Sequence, residues 1–245
     1  MAASGSKFDW SSLDRNGLAT YLWLLAPEIV NKRMPVDEFH RLISRHLKNY
    51  LPLRVAKDFD PKKNTSNMIL IGGCYYSDKD QNHKRSIEVL MVYNPIDETL
   101  KVNKPRFWRM CYGIADTILH ELIHMRQFRR REFKYLPEYA SNARRTAQRL
   151  EQEYLGCSDE IDAYGFNIAC ELADKFDNNQ AKIIKYLDTN QRGTRKQFNS
   201  WKMYLKAFNH DHDHVIIKRL KKKIIRYLPY AAIGKPYRNR DWISH

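Results

Sequence analysis

The stretch Thr117-Ile118-Leu119-His120-Glu121-Leu122-Ile123-His124-Met125-Arg126-Gln127-Phe128 holds His-Glu-x-x-His inside an apolar run. Ile118, Leu119, Leu122, Ile123 and Met125 make a helix here apolar enough to be buried. On a helix, positions i and i+4 project from nearly the same face, so His120 and His124 can offer imidazole nitrogens to one ion. Glu121 stands about 100° further round, beside such an ion rather than among its ligands, and is placed to take a proton from water. The plain alternative is an amphipathic helix that carries these residues by chance. That helix would bury two imidazoles and a carboxylate, which need partners, and a metal ion supplies one. Asn103, Lys104 and Pro105 form a start signal, and the helix is expected to run to about Arg130.

A chain of 245 residues can form one good-sized core. We expect a single domain over 1–245, with 1–16 as candidate disorder and 215–245 as a basic C-terminal segment. Hydrophobic content of 43% with 12% aromatics excludes wholesale disorder. No apolar run approaches bilayer length and no signal peptide is visible, so a cytoplasmic protein is expected. For a phage-encoded chain that place would be the virion or the host cytoplasm. Cys74, Cys111, Cys157 and Cys170 form no Cys-x-x-Cys pair and are expected to be buried thiols, leaving any metal to nitrogen and oxygen.

The net charge of +15 is unevenly spread. From Val215 to His245 there are nine Lys or Arg residues and one acid, Asp241. Arg126, Arg129, Arg130, Arg131 and Lys134 follow the histidine motif directly. Such clustering favours contact with a polyanion.

Helices are expected near 17–32, 36–50, 138–155, 158–175, 178–188, 193–208 and 213–228, besides the His-Glu-x-x-His helix. Two strand-like runs, Met68 to Tyr76 and Ser86 to Tyr93, are joined by a polar stretch and suit an antiparallel pair. Gly72-Gly73 marks either a bulge or a place where another backbone comes close. The economical fold is one α+β domain, mostly helical, with a small antiparallel sheet ahead of the His-Glu-x-x-His helix.

Two histidines leave a catalytic zinc short of its usual three protein ligands. In Gly156-Cys157-Ser158-Asp159-Glu160-Ile161-Asp162-Ala163-Tyr164-Gly165-Phe166-Asn167, Ser158 is a good helix cap and Glu160 falls in the first turn that follows. Glu160 lies 36 residues beyond His124, room for a helix to cross and return. An ordinary exposed first-turn acid is the other reading of Glu160, and Glu153 and Asp159 are weaker ligand candidates.

On these residues the chain resembles the gluzincin branch of the zincin metallopeptidases over roughly 68–170. In that branch a helix bears His-Glu-x-x-His and a later helix supplies a glutamate, and Glu160-Ile161-Asp162-Ala163 looks like its Glu-x-x-Ala pattern. The resemblance implies a zincin-like fold, Zn2+ held by His120, His124 and Glu160, and Glu121 as general base and acid. It implies a protein or peptide substrate, bound as an extended segment beside a strand. Tyr164 stands where several such families have an Asp that supports a histidine ligand. The supporting residues must therefore differ, with Asp116, Asp159 and Asn167 as candidates.

Zinc peptidases of this type often stabilise the oxyanion with a distant histidine or a tyrosine. His210, His212 and His214, in Asn209-His210-Asp211-His212-Asp213-His214, and Tyr164 are the candidates here. That segment also reads as a solvated loop with Asp213 capping the next helix, or as a second metal site.

A competing expectation is a nucleic-acid-associated protein on a zincin scaffold with little or no protease activity. In the helix near 213–228, Ile217, Leu220, Ile224 and Leu228 line one face. Lys218, Arg219, Lys221, Lys222, Lys223 and Arg226 cover the rest and are the candidate nucleic-acid contacts.

Overall fold

The computed structural model describes residues 9–60, 69–77, 86–134, 146–189 and 200–236. The expected helical residues 138–145 and 193–199 lie outside them. The fold is α+β and mostly helical. The chain divides into two compact units, one ending at Met125 and one starting at Arg126.

The first unit begins with a short 3-10 turn at Trp10–Ser12, followed by α1 (Arg15–Trp23) and α2 (Ala26–Ile29). Asp14 caps α1 by accepting from Gly17 N at 2.7 Å. The helix expected over 17–32 is two helices, with Pro27 in the first turn of the second, where a missing N–H costs nothing.

Next come β1 (Arg33–Pro35) and α3 (Val36–Tyr50), which buries Phe39, Leu42, Ile43 and Leu47 along one stripe. Asp37 and Glu38 in its first turn and Lys48 in its last complement the helix dipole.

Strands β2 (Arg54–Phe59), β3 (Ile69–Tyr76), β4 (Ser86–Tyr93) and β5 (Thr99–Lys101) follow. The antiparallel β3–β4 pair matches expectation and runs unbroken from Ile69 opposite Tyr93 to Tyr76 opposite Ser86. That continuity removes the bulge reading of Gly72-Gly73. β2 adds a parallel partner on the other side of β4, so this sheet is mixed, in the order β2-β4-β3. β1 and β5 form a separate antiparallel pair. The sequence reading missed β1, β2 and β5. Two are only three residues long, and β2 has just one buried position, too little for an alternation signal.

Along β4, Ile87, Val89, Met91 and Tyr93 are all fully buried, which defines the inner face of the sheet. Ile71 and Gly73 of β3 lie opposite Met91 and Val89 and so share that face. Against it runs the long helix α4 (Lys104–Arg130). A Cβ built on Gly113 would stand 3.3 Å from Ile71 Cδ1. One built on Gly73 would stand 2.6 Å from Thr117 Cγ2 and 2.9 Å from Glu121 Cγ and Oε1. Gly113, Thr117 and Glu121 are spaced four apart, one ridge of a helix, so β3 lies along that ridge.

The second unit contains α5 (Ala147–Gly156), α6 (Ser158–Lys175), α7 (Gln180–Asp188), α8 (Ser200–Ala207) and α9 (Val215–Ala231). α6 is its centre, burying Ile161, Ala163, Phe166, Ile168, Ala169 and Leu172 among others. α9 packs on α6 through Ile217, Leu220, Ile224 and Leu228, the stripe expected from sequence. A Cβ at Gly165 would meet Lys223 Cβ at 2.8 Å, so the absence of a side chain there permits this close approach.

Cys111, Cys157 and Cys170 are buried thiols outside any disulfide, as expected, whereas Cys74 is exposed, on the outer face of β3. Burial pushes the Cys111 thiol up to about 12, so it stays protonated at neutral pH.

Among the described residues, no helix is long and apolar enough to cross a membrane.

Candidate metal centre

His120, Glu121 and His124 project from the interior of α4 and are 6%, 5% and 8% exposed. The Nε2 atoms of the two histidines face each other at 3.1 Å. Two nitrogens that each sit about 2.0–2.1 Å from one tetrahedral ion stand roughly 3.4 Å apart. The pair is thus nearly at bridging distance before any adjustment.

The last turn of α4 is tied to the first turn of α6. Gln127 Nε2 donates to the Asp159 carbonyl at 3.1 Å and to Asp162 Oδ2 at 3.4 Å. Beyond the helix end, Arg131 makes a two-pronged bond to the Asp159 carboxylate at 2.8 and 2.7 Å. Arg131 can point back because Glu132 and Phe133 turn the chain through left-handed backbone, closed by Phe133 N donating to Phe128 O at 2.8 Å.

Glu160, the residue after Asp159, is 4% exposed. Its carboxylate oxygen and the ring nitrogens of His120 and His124 all lie within 4.8 Å of one another. They form the one group of three or more His, Cys, Asp or Glu among the described residues able to hold a metal ion. Two imidazole nitrogens and one carboxylate oxygen, all buried, fit a divalent ion with a further position open. The reading of Glu160 as an exposed first-turn acid is excluded by its burial.

The alternative ligands are occupied elsewhere. Asp159 is paired with Arg131, and Glu153 accepts from Arg149 at 3.3 Å on the same helix. Of the expected supporting residues, Asp116 is held by Arg15 at 2.5 Å, and Asp159 anchors α6 through Arg131.

The histidine segment terminates one helix and begins another. Asn209 and His210 adopt left-handed backbone after α8, and His210 N donates to Leu205 O at 2.6 Å. His212 packs edge-on against Trp201, with ring centroids 6.1 Å apart. His214, not Asp213, caps α9, its Nδ1 accepting from Ile216 N at 3.2 Å. Asp213 instead pairs with Lys218 at 2.9 Å. None of the three histidines joins a metal-binding group among the described residues.

Tyr164 stacks edge-on against Tyr204 of α8, centroids 5.5 Å apart. Tyr204, which the sequence reading did not single out, is fully buried. Burial and then the neighbouring Glu160 carboxylate push its hydroxyl well above the usual tyrosine value. In sequence it reads as one more aromatic on an amphipathic helix, and nothing local distinguishes it.

Gly73 did carry a signal, as a place of close approach, and the approaching element is the helix bearing Glu121. Gly73→Ala should therefore cost about 1–3 kcal/mol through overpacking against Thr117 and Glu121. Gly72→Ala, whose Cβ meets nothing within 4 Å, should leave stability nearly unchanged. Urea unfolding of the two variants compares them, and equal midpoints would contradict the contact.

Comparison of the chain with protein-family models, with curated proteins and with solved structures gives no match.

Proposed function

We propose that this chain is a zinc-dependent metallopeptidase of gluzincin type, with His120, His124 and Glu160 as the zinc ligands. The observation that carries this reading is the burial of two histidines and one glutamate around a common point, with Glu121 next to them on α4. Zinc at such a site acidifies water toward a pKa of ~7 and polarises a carbonyl.

Glu121 then has the two remaining proton tasks. It accepts the proton of the attacking water and delivers it to the leaving amine. Its burial keeps bulk water from competing for that proton. Gly73 lets the β3 backbone pass directly over the Glu121 side chain. Among the described residues β3 is also one of the two edge strands of its sheet, so an extended peptide added to that edge would run beside the general base.

The test is metal analysis of the purified protein together with hydrolysis of an unbiased peptide library. About one zinc per chain, with hydrolysis abolished by chelation and restored by zinc, supports the proposal. A protein without metal, or one that hydrolyses equally after chelation, overturns it.

A second reading, nucleic-acid association through α9, draws on the exposure of Lys218, Arg219, Lys222 and Arg226. The basic face is smaller than its composition suggests. Lys221 pairs with Asp188 at 2.9 Å and Lys223 with Asp162 at 2.5 Å, so these two mainly hold α9 in place. Replacing Arg219, Lys222 and Arg226 together by Gln should weaken DNA binding. It should also reduce the slope of log affinity against log salt by roughly three, at about 0.9 per phosphate contact. Fluorescence titration at several salt concentrations measures both. Identical slopes for wild type and variant would leave α9 as solvated surface.

A further inference from the structure

Deepening the proposed metal site, we propose that, once the ion is bound, the Tyr204 hydroxyl turns to donate a hydrogen bond to the Glu160 carboxylate and holds it toward His120 and His124, which makes Tyr204 a positioning residue. Three observations converge on this hydroxyl. Tyr204 is fully buried on α8, yet its oxygen has no hydrogen-bond partner among the described residues. A buried polar group left in that state costs about 1–3 kcal/mol and calls for a reason.

Its ring packs on Tyr164, which follows Glu160 by four residues and so projects from the same face of α6 one turn along. The Glu160 carboxylate, one turn back from Tyr164 on that face, also acts on the hydroxyl through its charge.

The chemistry of the pair is complementary. A carboxylate that gives one oxygen to a metal retains lone pairs, and ligating carboxylates are ordinarily held by an outer hydrogen bond. A tyrosine is a protonated donor at neutral pH, and it brings no charge that would compete with the cation. The supporting acids expected from sequence are engaged elsewhere, Asp116 by Arg15 and Asp159 by Arg131. Tyr204 fills that role with a donor instead of an acid, and on the glutamate rather than on a histidine.

The inference rests on the metal reading, and the experiment separates the two. Zinc affinity is measured by competition with a chromophoric chelator for wild type and Tyr204→Phe, alongside thermal unfolding of both metal-free proteins. Phe keeps the ring against Tyr164 and Phe208 and removes only the oxygen. The expected result is an affinity lower by about 10–100-fold, with metal-free Phe variant melting at or above the wild-type temperature because an unpartnered buried hydroxyl is gone. A merely structural tyrosine would instead lower melting temperature and affinity together, and that result overturns the inference. Equal affinities overturn it too, while leaving the metal site standing. A wild type that binds no zinc removes the site and, with it, this role for Tyr204.

Discussion

Glu121→Gln should slow peptide hydrolysis by about 10²–10⁴-fold, the span ordinarily lost with a general base. That corresponds to roughly 3–5 kcal/mol of barrier. The substitution is nearly isosteric and removes only the ability to take and return a proton. Glu121 is 5% exposed and lies under the β3 backbone at Gly73, so a residue of different shape would disturb the packing as well as the chemistry. Gln avoids that, and zinc content and thermal stability should match wild type. The measurement is kcat/KM on the best peptide from the library, with metal analysis of the same preparation. Unchanged kcat/KM with full zinc would remove Glu121 from the mechanism. Lost activity with lost zinc would mean that Glu121 helps to hold the ion instead.

Replacing any one of His120, His124 and Glu160 by Ala should abolish stoichiometric zinc. The loss should exceed the about 10–100-fold penalty typical of an outer-shell partner, because in the proposed site each residue would supply one of three protein donors. The same ion should stabilise the wild-type fold. At free zinc near 1,000 times the dissociation constant, linkage adds about 4 kcal/mol, so chelation should lower the melting temperature of wild type and leave that of the ligand variants nearly unmoved.

Two controls make the ligand assignment specific. Glu153→Ala should leave zinc unchanged, since Glu153 is paired with Arg149 on α5. Asp159→Ala should lower stability by stranding Arg131, with a smaller effect on zinc than Glu160→Ala. If Glu160→Ala keeps a full equivalent of zinc while Asp159→Ala loses it, the third ligand has been misassigned.

Much of this was legible in the chain before any fold was known, and the legible parts are local. His120 and His124 share a face because a helix repeats every 3.6 residues, and the apolar run around them is enough to make that helix buried. The docking stripe of α9 and the pairing of β3 with β4 follow from periodicity in the same way. Glu160 was singled out by a cap and a four-residue pattern, with Asp159 and Glu153 left beside it as alternatives.

Only the tertiary structure separated those acids, because what separates them is their partners. Arg131, brought back by the left-handed turn after α4, takes Asp159, and Arg149 takes Glu153, leaving Glu160 as the acid grouped with the two histidines. Charge on α9 shows the same division. Composition counts Lys221 and Lys223 as free cations, whereas the fold sets Asp188 and Asp162 against them. The parallel strand β2, the approach of Gly73 to Glu121 and the burial of Tyr204 all join residues far apart in the chain. Residue types and short spacings determine which groups can do chemistry here. Which of them meet depends on long-range packing, whose energy is shared among many contacts and leaves no local mark in the sequence.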